Sequence, residues 1–201
     1  MQKVLYFLFF LALVGCYPEG PEYVDELDSV YTNYSPEFNF TSNYTYALPE
    51  GVLKIDGQDD NTPEFIDEDL SNATISALRA NLNARGWTEV DESENPDVVM
   101  LATGFDTDFY YYYDFGWWDW YYPGYFPGWG WYYPYYPVYV DGFSIGTLFI
   151  QMTYADGITN DEVPVEWVCL LNGVLQGSDA GMAQRITTNI NQAFSQAPFN
   201  N

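Results

Sequence analysis

Cys16 is the residue with the clearest chemical opportunity. Lys3 gives a short positive start, Val4 to Val14 is an apolar run, and Leu13-Val14-Gly15-Cys16 closes it. About eleven apolar residues are too few to span a bilayer and suit a signal-peptide core. A small residue before a thiol is what a lipidation and cleavage site needs, because the thiol becomes a thioether to diacylglycerol. The expectation is a lipoprotein signal peptide over residues 1–15, and an acylated Cys16 (palmitate included) that holds the mature chain on a lipid bilayer. A coincidental cysteine behind an ordinary signal peptide is the bland alternative. Tyr17, not an acid, follows the cysteine, which by resemblance to Gram-negative sorting rules implies the outer membrane.

Other chemistry is harder to assemble. The chain has no histidine, which removes the commonest general base, the commonest zinc ligand and every Ser-His or Cys-His pair. With Cys16 taken by lipid, Cys169 has no intramolecular disulfide partner. Asp56, Asp59 and Asp60 cluster, as do Asp106 and Asp108, but neither spacing matches a helix-loop-helix calcium site. Asp114 and Asp119 lie among aromatics, a setting that raises a carboxyl pKa and could serve glycoside hydrolysis. No motif fixes a nucleophile or an acid, and acids are abundant everywhere. Gly124, Gly128 and Gly130 lack the strand-to-helix context of a phosphate loop. The expectation is therefore no enzyme, no cofactor and no metal.

Five Lys+Arg against 29 Asp+Glu give a formal net charge of -24. Such a surface repels nucleic-acid phosphates and anionic head groups, so nucleic acid is an unsuitable partner and membrane attachment needs a hydrophobic anchor. The remaining feature is a block at 105–143 dominated by Tyr, Trp and Phe. Consecutive aromatics cannot all be core, and Pro123, Pro127, Pro134 and Pro137 forbid a helix. The block is expected to project as an extended loop or irregular hairpin. Trp117, Trp118, Trp120, Trp129, Trp131, Tyr132 and Tyr133 form its candidate interaction surface, for an envelope protein or a glycan. A self-packed aromatic cluster is the bland reading. Lipid insertion is disfavoured by Asp108, Asp114, Asp119 and Asp141.

These features need elements to position them. Residues 16–37 read as an acidic, disordered tether, with Pro18, Gly20, Pro21 and Pro36 among scattered acids. Asp28-Ser29-Val30 resembles a short bacterial O-glycosylation sequence, which would place a sugar on Ser29. One domain is expected over 38–199. Asn43–Leu48 and Gly51–Asp56 read as strands joined by a turn at Pro49-Glu50-Gly51. A helix is expected from a Thr62 cap and Pro63 to Arg85, with Ile66, Leu70, Ala73, Ala77, Leu78 and Leu82 inward and Gly86 as its left-handed cap. Asp97–Thr103 is apolar at both parities, as in a strand buried on two faces. Gly146–Tyr154 alternates as a half-buried strand, and Val165, Trp167, Cys169 and Leu171 share one face of another. A last helix carries Met182, Ile186, Ile190 and Phe194. The fold class is α+β: a largely antiparallel sheet of about five strands, two helices packed on one face, and a long aromatic loop.

The strand Thr45-Tyr46-Ala47, the helix end Leu82-Asn83-Ala84-Arg85-Gly86-Trp87 and Asn95-Pro96-Asp97-Val98-Val99 resemble the first half of a bacterial lipoprotein family, domain of unknown function 4136. Gly146-Thr147-Leu148-Phe149-Ile150, Glu166-Trp167, and Arg185-Ile186 leading to Pro198-Phe199 resemble its second half. Basic residues that often follow the family's strand Trp are lacking here. The resemblance implies the fold and a cell-envelope location, and implies no catalytic residue or ligand. The function expected is a non-catalytic, lipid-anchored envelope lipoprotein with a structural or interaction role. The alternative is a glycan- or peptidoglycan-binding module that uses the aromatic loop.

Overall fold

In the computed structural model, the described residues are 28–55, 64–105, 130–132, 146–155, 162–177, 179–196 and 198–200. The apolar run after Asp97 becomes the strand on which the others are arranged, Val98–Phe105, with all eight residues buried. In chain order the strands are β1 (Ser29–Tyr34), β2 (Thr45–Ala47), β3 (Leu53–Ile55), β4 (Glu64–Phe65), β5 (Thr88–Glu89), β6 (Val98–Phe105), β7 (Gly130–Tyr132), β8 (Thr147–Tyr154) and β9 (Glu162–Asn172). The helices are α1 (Glu68–Ala84) and α2 (Asp179–Gln196). The main path across the sheet is β1-β9-β8-β6-β2-β5; β3 and β4 extend it beside β6, and β7 adds a short ladder to the start of β9.

This sheet is mixed and larger than the five-strand, largely antiparallel sheet expected. β6, β8, β9 and β1 pair antiparallel. β2 and β3 both run parallel to β6, and β5 runs parallel to β2. The cause is α1, which carries the chain back across one face, so β5 and β6 after it start at the same end as β2. β2 and β3 are also not two arms of a turn. They lie in tandem along one edge of β6: six steps from Ala47 to Leu53 run beside four from Val99 to Thr103. Pro49, which has no N–H to donate, lies in the outward detour.

α1 starts later than the Thr62-Pro63 signal suggests. Glu64 and Phe65 are extended and pair with Lys54 and Leu53. The cap is Asp67, whose carboxylate accepts from the N–H groups of Asp69 and Leu70 at 3.0 and 3.4 Å. Ile66 therefore precedes the helix, while Leu70, Ala77, Leu78 and Leu82 face inward as expected, joined by Ser71, Thr74 and Ile75. Gly86, at φ +80°, ends the helix in the left-handed region.

Both helices cover one face. Met100, Ala102, Leu148, Ile150, Met152, Trp167, Cys169 and Leu171 meet Leu78 and Leu82 of α1 and Met182, Ile186, Ile190 and Phe194 of α2 in one core. Aromatic rings close the end of this layer below Val98: Trp167 sits 5.0 Å from Phe194, and Phe40 sits 4.8 Å from Phe199. The other face is not half-exposed as the alternation of β8 suggested. Thr147, Gln151 and Thr153 are buried, as are Leu101, Thr103, Phe105 and Phe149. Of these polar residues, Thr147 is accommodated by donating Oγ1 to Asn172 Oδ1 at 2.9 Å.

The domain also begins earlier than position 38. Ser29 to Tyr34, read as the end of a tether, forms β1 and pairs with β9 from Asn172 to Trp167. Val30, Tyr31, Thr32 and Tyr34 are good strand residues, and an edge place on β9 lets them contribute to the core without full burial. A clasp locks the strand in place. Arg185 on α2 grips Asp28 through two guanidinium nitrogens and donates Nη2 to the Gly173 carbonyl at 2.8 Å. Asn189 donates to the same carboxylate at 3.0 Å. The side chains of Asp28 and Arg185 are only 6% and 14% exposed, so each charge depends on the other. Asp28→Ala should therefore cost about 3–5 kcal/mol in chemical denaturation. The double variant Asp28→Ala with Arg185→Leu should recover part of that loss, whereas simple additivity of the two changes would show that the charges do not couple.

Candidate functional site

The segments expected to carry function meet at one end of the sheet. Ser29 lies opposite Asn172, and Leu171 lies opposite Leu148, itself opposite Gly104. The chain from Cys16 thus enters at the end where the aromatic block leaves at Phe105 and returns at Gly146. The two roots are fastened together. Gly146 N–H donates to the Phe105 carbonyl at 2.8 Å, and Leu175 N–H donates to the Gly146 carbonyl at 3.0 Å. Gly146 has φ +82°, and a Cβ there would lie 2.4 Å from Gln176 Cγ, so this junction admits only glycine. Arg185 also donates Nη1 to the Gln176 carbonyl, which joins the return of the block to the Asp28 clasp. The sequence offered no signal for a pair 157 residues apart. The strand-favouring residues Val30, Tyr31, Thr32 and Tyr34 are the one signal for β1, concealed by the flanking acids.

Cys16, Trp117, Trp118, Trp120, Trp129 and Tyr133 lie outside the described residues, as do Asp56, Asp59, Asp60, Asp106, Asp108, Asp114 and Asp119. Trp131 and Tyr132 belong to β7, which pairs parallel with Val163 and Pro164. That contact is at the end of β9 remote from Asn172. Main-chain groups of these three residues therefore find partners on β9, while the rest of the block expected to project lies outside the described residues. Ser29, the proposed sugar acceptor, is exposed at the first position of β1.

Several titratable groups among the described residues are committed to the packing of the fold. Cys169 is fully buried on the helix-covered face, and burial pushes its thiol well above the usual range, which makes it a poor nucleophile. Glu166 is buried; burial raises its pKa, a hydrogen bond from Ser35 works against this, and Glu37 adds to it. All four basic residues of the domain have partners. Lys54 lies 3.7 Å from Glu64 and Arg79 forms a bidentate pair with Glu89 at 2.6 and 2.8 Å. Arg85 donates to the carbonyls of Asn81 and Phe194 and stacks on the Phe194 ring at 4.8 Å, and Arg185 holds Asp28. Among the described residues no group of three His, Cys, Asp or Glu is placed to hold a metal ion, and no helix is long and apolar enough to cross a membrane.

The architecture defines an α+β domain with a mixed sheet and two helices on one of its faces. The chain belongs to the family described as domain of unknown function DUF4136, whose model matches residues 30–199. A crystal structure of a DUF4136 family protein from Bacteroides thetaiotaomicron is similar, with 26% identity and a TM-score of 0.67 over 86% of this chain and 96% of that one. A PelC dodecamer from Paraburkholderia phytofirmans aligns at 12% identity and a TM-score of 0.37, over 85% of this chain and 99% of that one. No curated protein matches the chain.

One buried group makes a pH test of this packing. Tyr46 is fully buried and its hydroxyl lies 2.8 Å from Asn83 Oδ1, to which it donates. Burial, then the nearby Glu89 carboxylate, push the phenol up to about 12 from 10.0, while Arg79 opposes them. The folded state therefore holds its proton where the unfolded chain has lost it. The resulting stability, on the order of 2–3 kcal/mol, is present below the unfolded pKa and is lost as pH rises through the folded one. Urea unfolding between pH 9.5 and 12 (roughly the window of the shift) should show a steeper loss in wild type than in Tyr46→Phe. Equal slopes would show that Tyr46 does not titrate in this way.

Proposed function

We propose that this protein is a non-catalytic lipoprotein of the bacterial cell envelope, anchored by acylated Cys16, with a structural or interaction role at the outer membrane. The observation that carries this reading is the junction between the anchor segment and the domain. Twelve residue steps after Cys16 the chain meets Asp28, whose carboxylate is clasped by Arg185 and Asn189 before a six-residue strand enters the sheet. A tether that ends in a buried ion pair and a full strand transmits force and position to the domain. Family membership over residues 30–199 assigns no reaction. The partner would be an envelope protein or a glycan, met by the aromatic block and its residues Trp117, Trp118, Trp120, Trp129, Trp131, Tyr132 and Tyr133.

Cys16→Ser tests the anchor. It should abolish labelling by radioactive palmitate and leave a precursor or a form released from membranes by high salt. Unchanged membrane association after the wash counts against the anchor. Crosslinking in intact envelopes tests the block: a short Gly-Ser linker in place of residues 109–137 should lose a partner or glycan captured by the parent protein. A folded, correctly located variant that keeps them all removes the interaction role from the aromatic block.

A further inference from the structure

The outer surface of the helix layer is free of acid in a chain that is otherwise rich in it. Residues 70–84 of α1 and 180–196 of α2 contain no Asp or Glu, although acids make up 29 of the chain's 201 residues. The exposed positions on these stretches are held by residues such as Asn72, Ser76, Asn83, Gln184, Thr188 and Gln192, and none of those described is charged. The cations of these elements are turned to partners in the same fold, Arg79 to Glu89, Arg85 to the Asn81 carbonyl and Arg185 to Asp28. Asn, Ser and Thr are poor helix formers, and a helix face that only met water would be better served by Glu or Lys. The two strips join into one face, because α1 and α2 lie side by side: Asn81 Nδ2 donates to Asn191 Oδ1 at 2.7 Å, and Arg85 Nη2 donates to the Phe194 carbonyl at 3.2 Å.

We propose that this face is where a second copy of the chain docks, helix layer against helix layer. Charge selects the occupant. Two chains of net charge -24 repel each other, and an acid-free face lets them touch without bringing carboxylates together. An antiparallel arrangement of the helices also keeps the acidic first turns of α1, at Glu68 and Asp69, at opposite ends of the contact. The chemistry is self-complementary as well. A twofold contact sets one surface against itself, and amides and hydroxyls, which both donate and accept, can pair with their own kind where like charges cannot. A strongly charged partner would find no opposing charge on this face. A glycan would find no ring to stack on, since the large apolar side chains exposed among the described residues are Tyr34 and Phe65, on β1 and β4. A 17-residue helix is about 25 Å long and its neighbour lies about 10 Å away. Pairing two such layers removes on the order of 1,000 Å² from solvent in all, which is the size of a weak and reversible dimer.

Sedimentation equilibrium of the purified full chain, in a nonionic detergent matched in density to the solvent, tests the contact and does not depend on how the chain is anchored. A dimer fraction should grow as the protein is raised from about 1 to 200 µM. Raising the salt from about 0.05 to 0.5 M should strengthen association several-fold, because salt screens the repulsion between two acidic chains and the contact contains no ion pair to weaken. Ser76→Glu combined with Thr188→Glu places acids at two exposed positions in the middle of the helices. Glu is the better helix former at both sites, so the circular dichroism melt should be kept while association falls at least tenfold. A parent chain that stays monomeric throughout, even at high salt, overturns the proposal. So does a dimer that salt dissociates, and so does one that survives the double substitution, since it would form through another face.

Discussion

Burial of β6 on both faces is the constraint on which the rest of the architecture depends. From Val98 to Phe105 no side chain reaches solvent, so the strand must have neighbours on both edges and cover on both sides. Each strand hydrogen bond made in this setting is shielded from water, and each unpaired main-chain group would be costly. β8 satisfies one edge over eight consecutive pairs. The other edge is satisfied piecewise by β2 and β3, with the chain between them bowed outward. α1 and α2 then become necessary, because Met100 and Ala102, together with Ile150 and Trp167 on the neighbouring strands, present a face that must be covered.

Charge imposes a second constraint. Few basic residues are available to a chain with 29 acids, and the domain commits them inside its own structure. Arg185 neutralises the buried Asp28 carboxylate, Arg79 joins α1 to β5 through Glu89, and Arg85 ties the end of α1 to the end of α2. Each removal would leave a buried or half-buried acceptor without its donor. What remains on the surface is mostly negative, which favours solubility and disfavours nonspecific adhesion to phosphate-rich partners.

These two constraints connect stability to the proposed role. A lipoprotein domain is pulled from its N-terminus, so the first strand is where tension would be felt. Among the described residues β1 pairs with β9 alone, at the edge of the sheet. Edge strands are the easiest to detach, and a clasp at the first residue raises the barrier where peeling would begin. The same clasp reaches Gly173 and Gln176, beside the Gly146 junction.

The sequence by itself determined the features that depend on local pattern. The two-faced apolarity after Asp97, the inward stripe Met182, Ile186, Ile190 and Phe194, the core position of Cys169 and the Gly86 cap were all legible, because each follows from periodicity or from the chemistry of one or two neighbouring residues. Tertiary structure decided what depends on partners distant in sequence. β1 exists as a strand because β9 offers it a ladder and Arg185 neutralises Asp28; among scattered acids the same residues read as a tether. Glu64 and Phe65 are extended because Lys54 and Leu53 lie beside them, which delays α1 to the Asp67 cap. Parallel pairing of β2 and β3 follows from the path of α1 over the sheet and has no signature in either strand. Thr147, Gln151 and Thr153 look like a solvent face in one dimension, yet they are buried, because whether a polar side chain meets water depends on what folds over it.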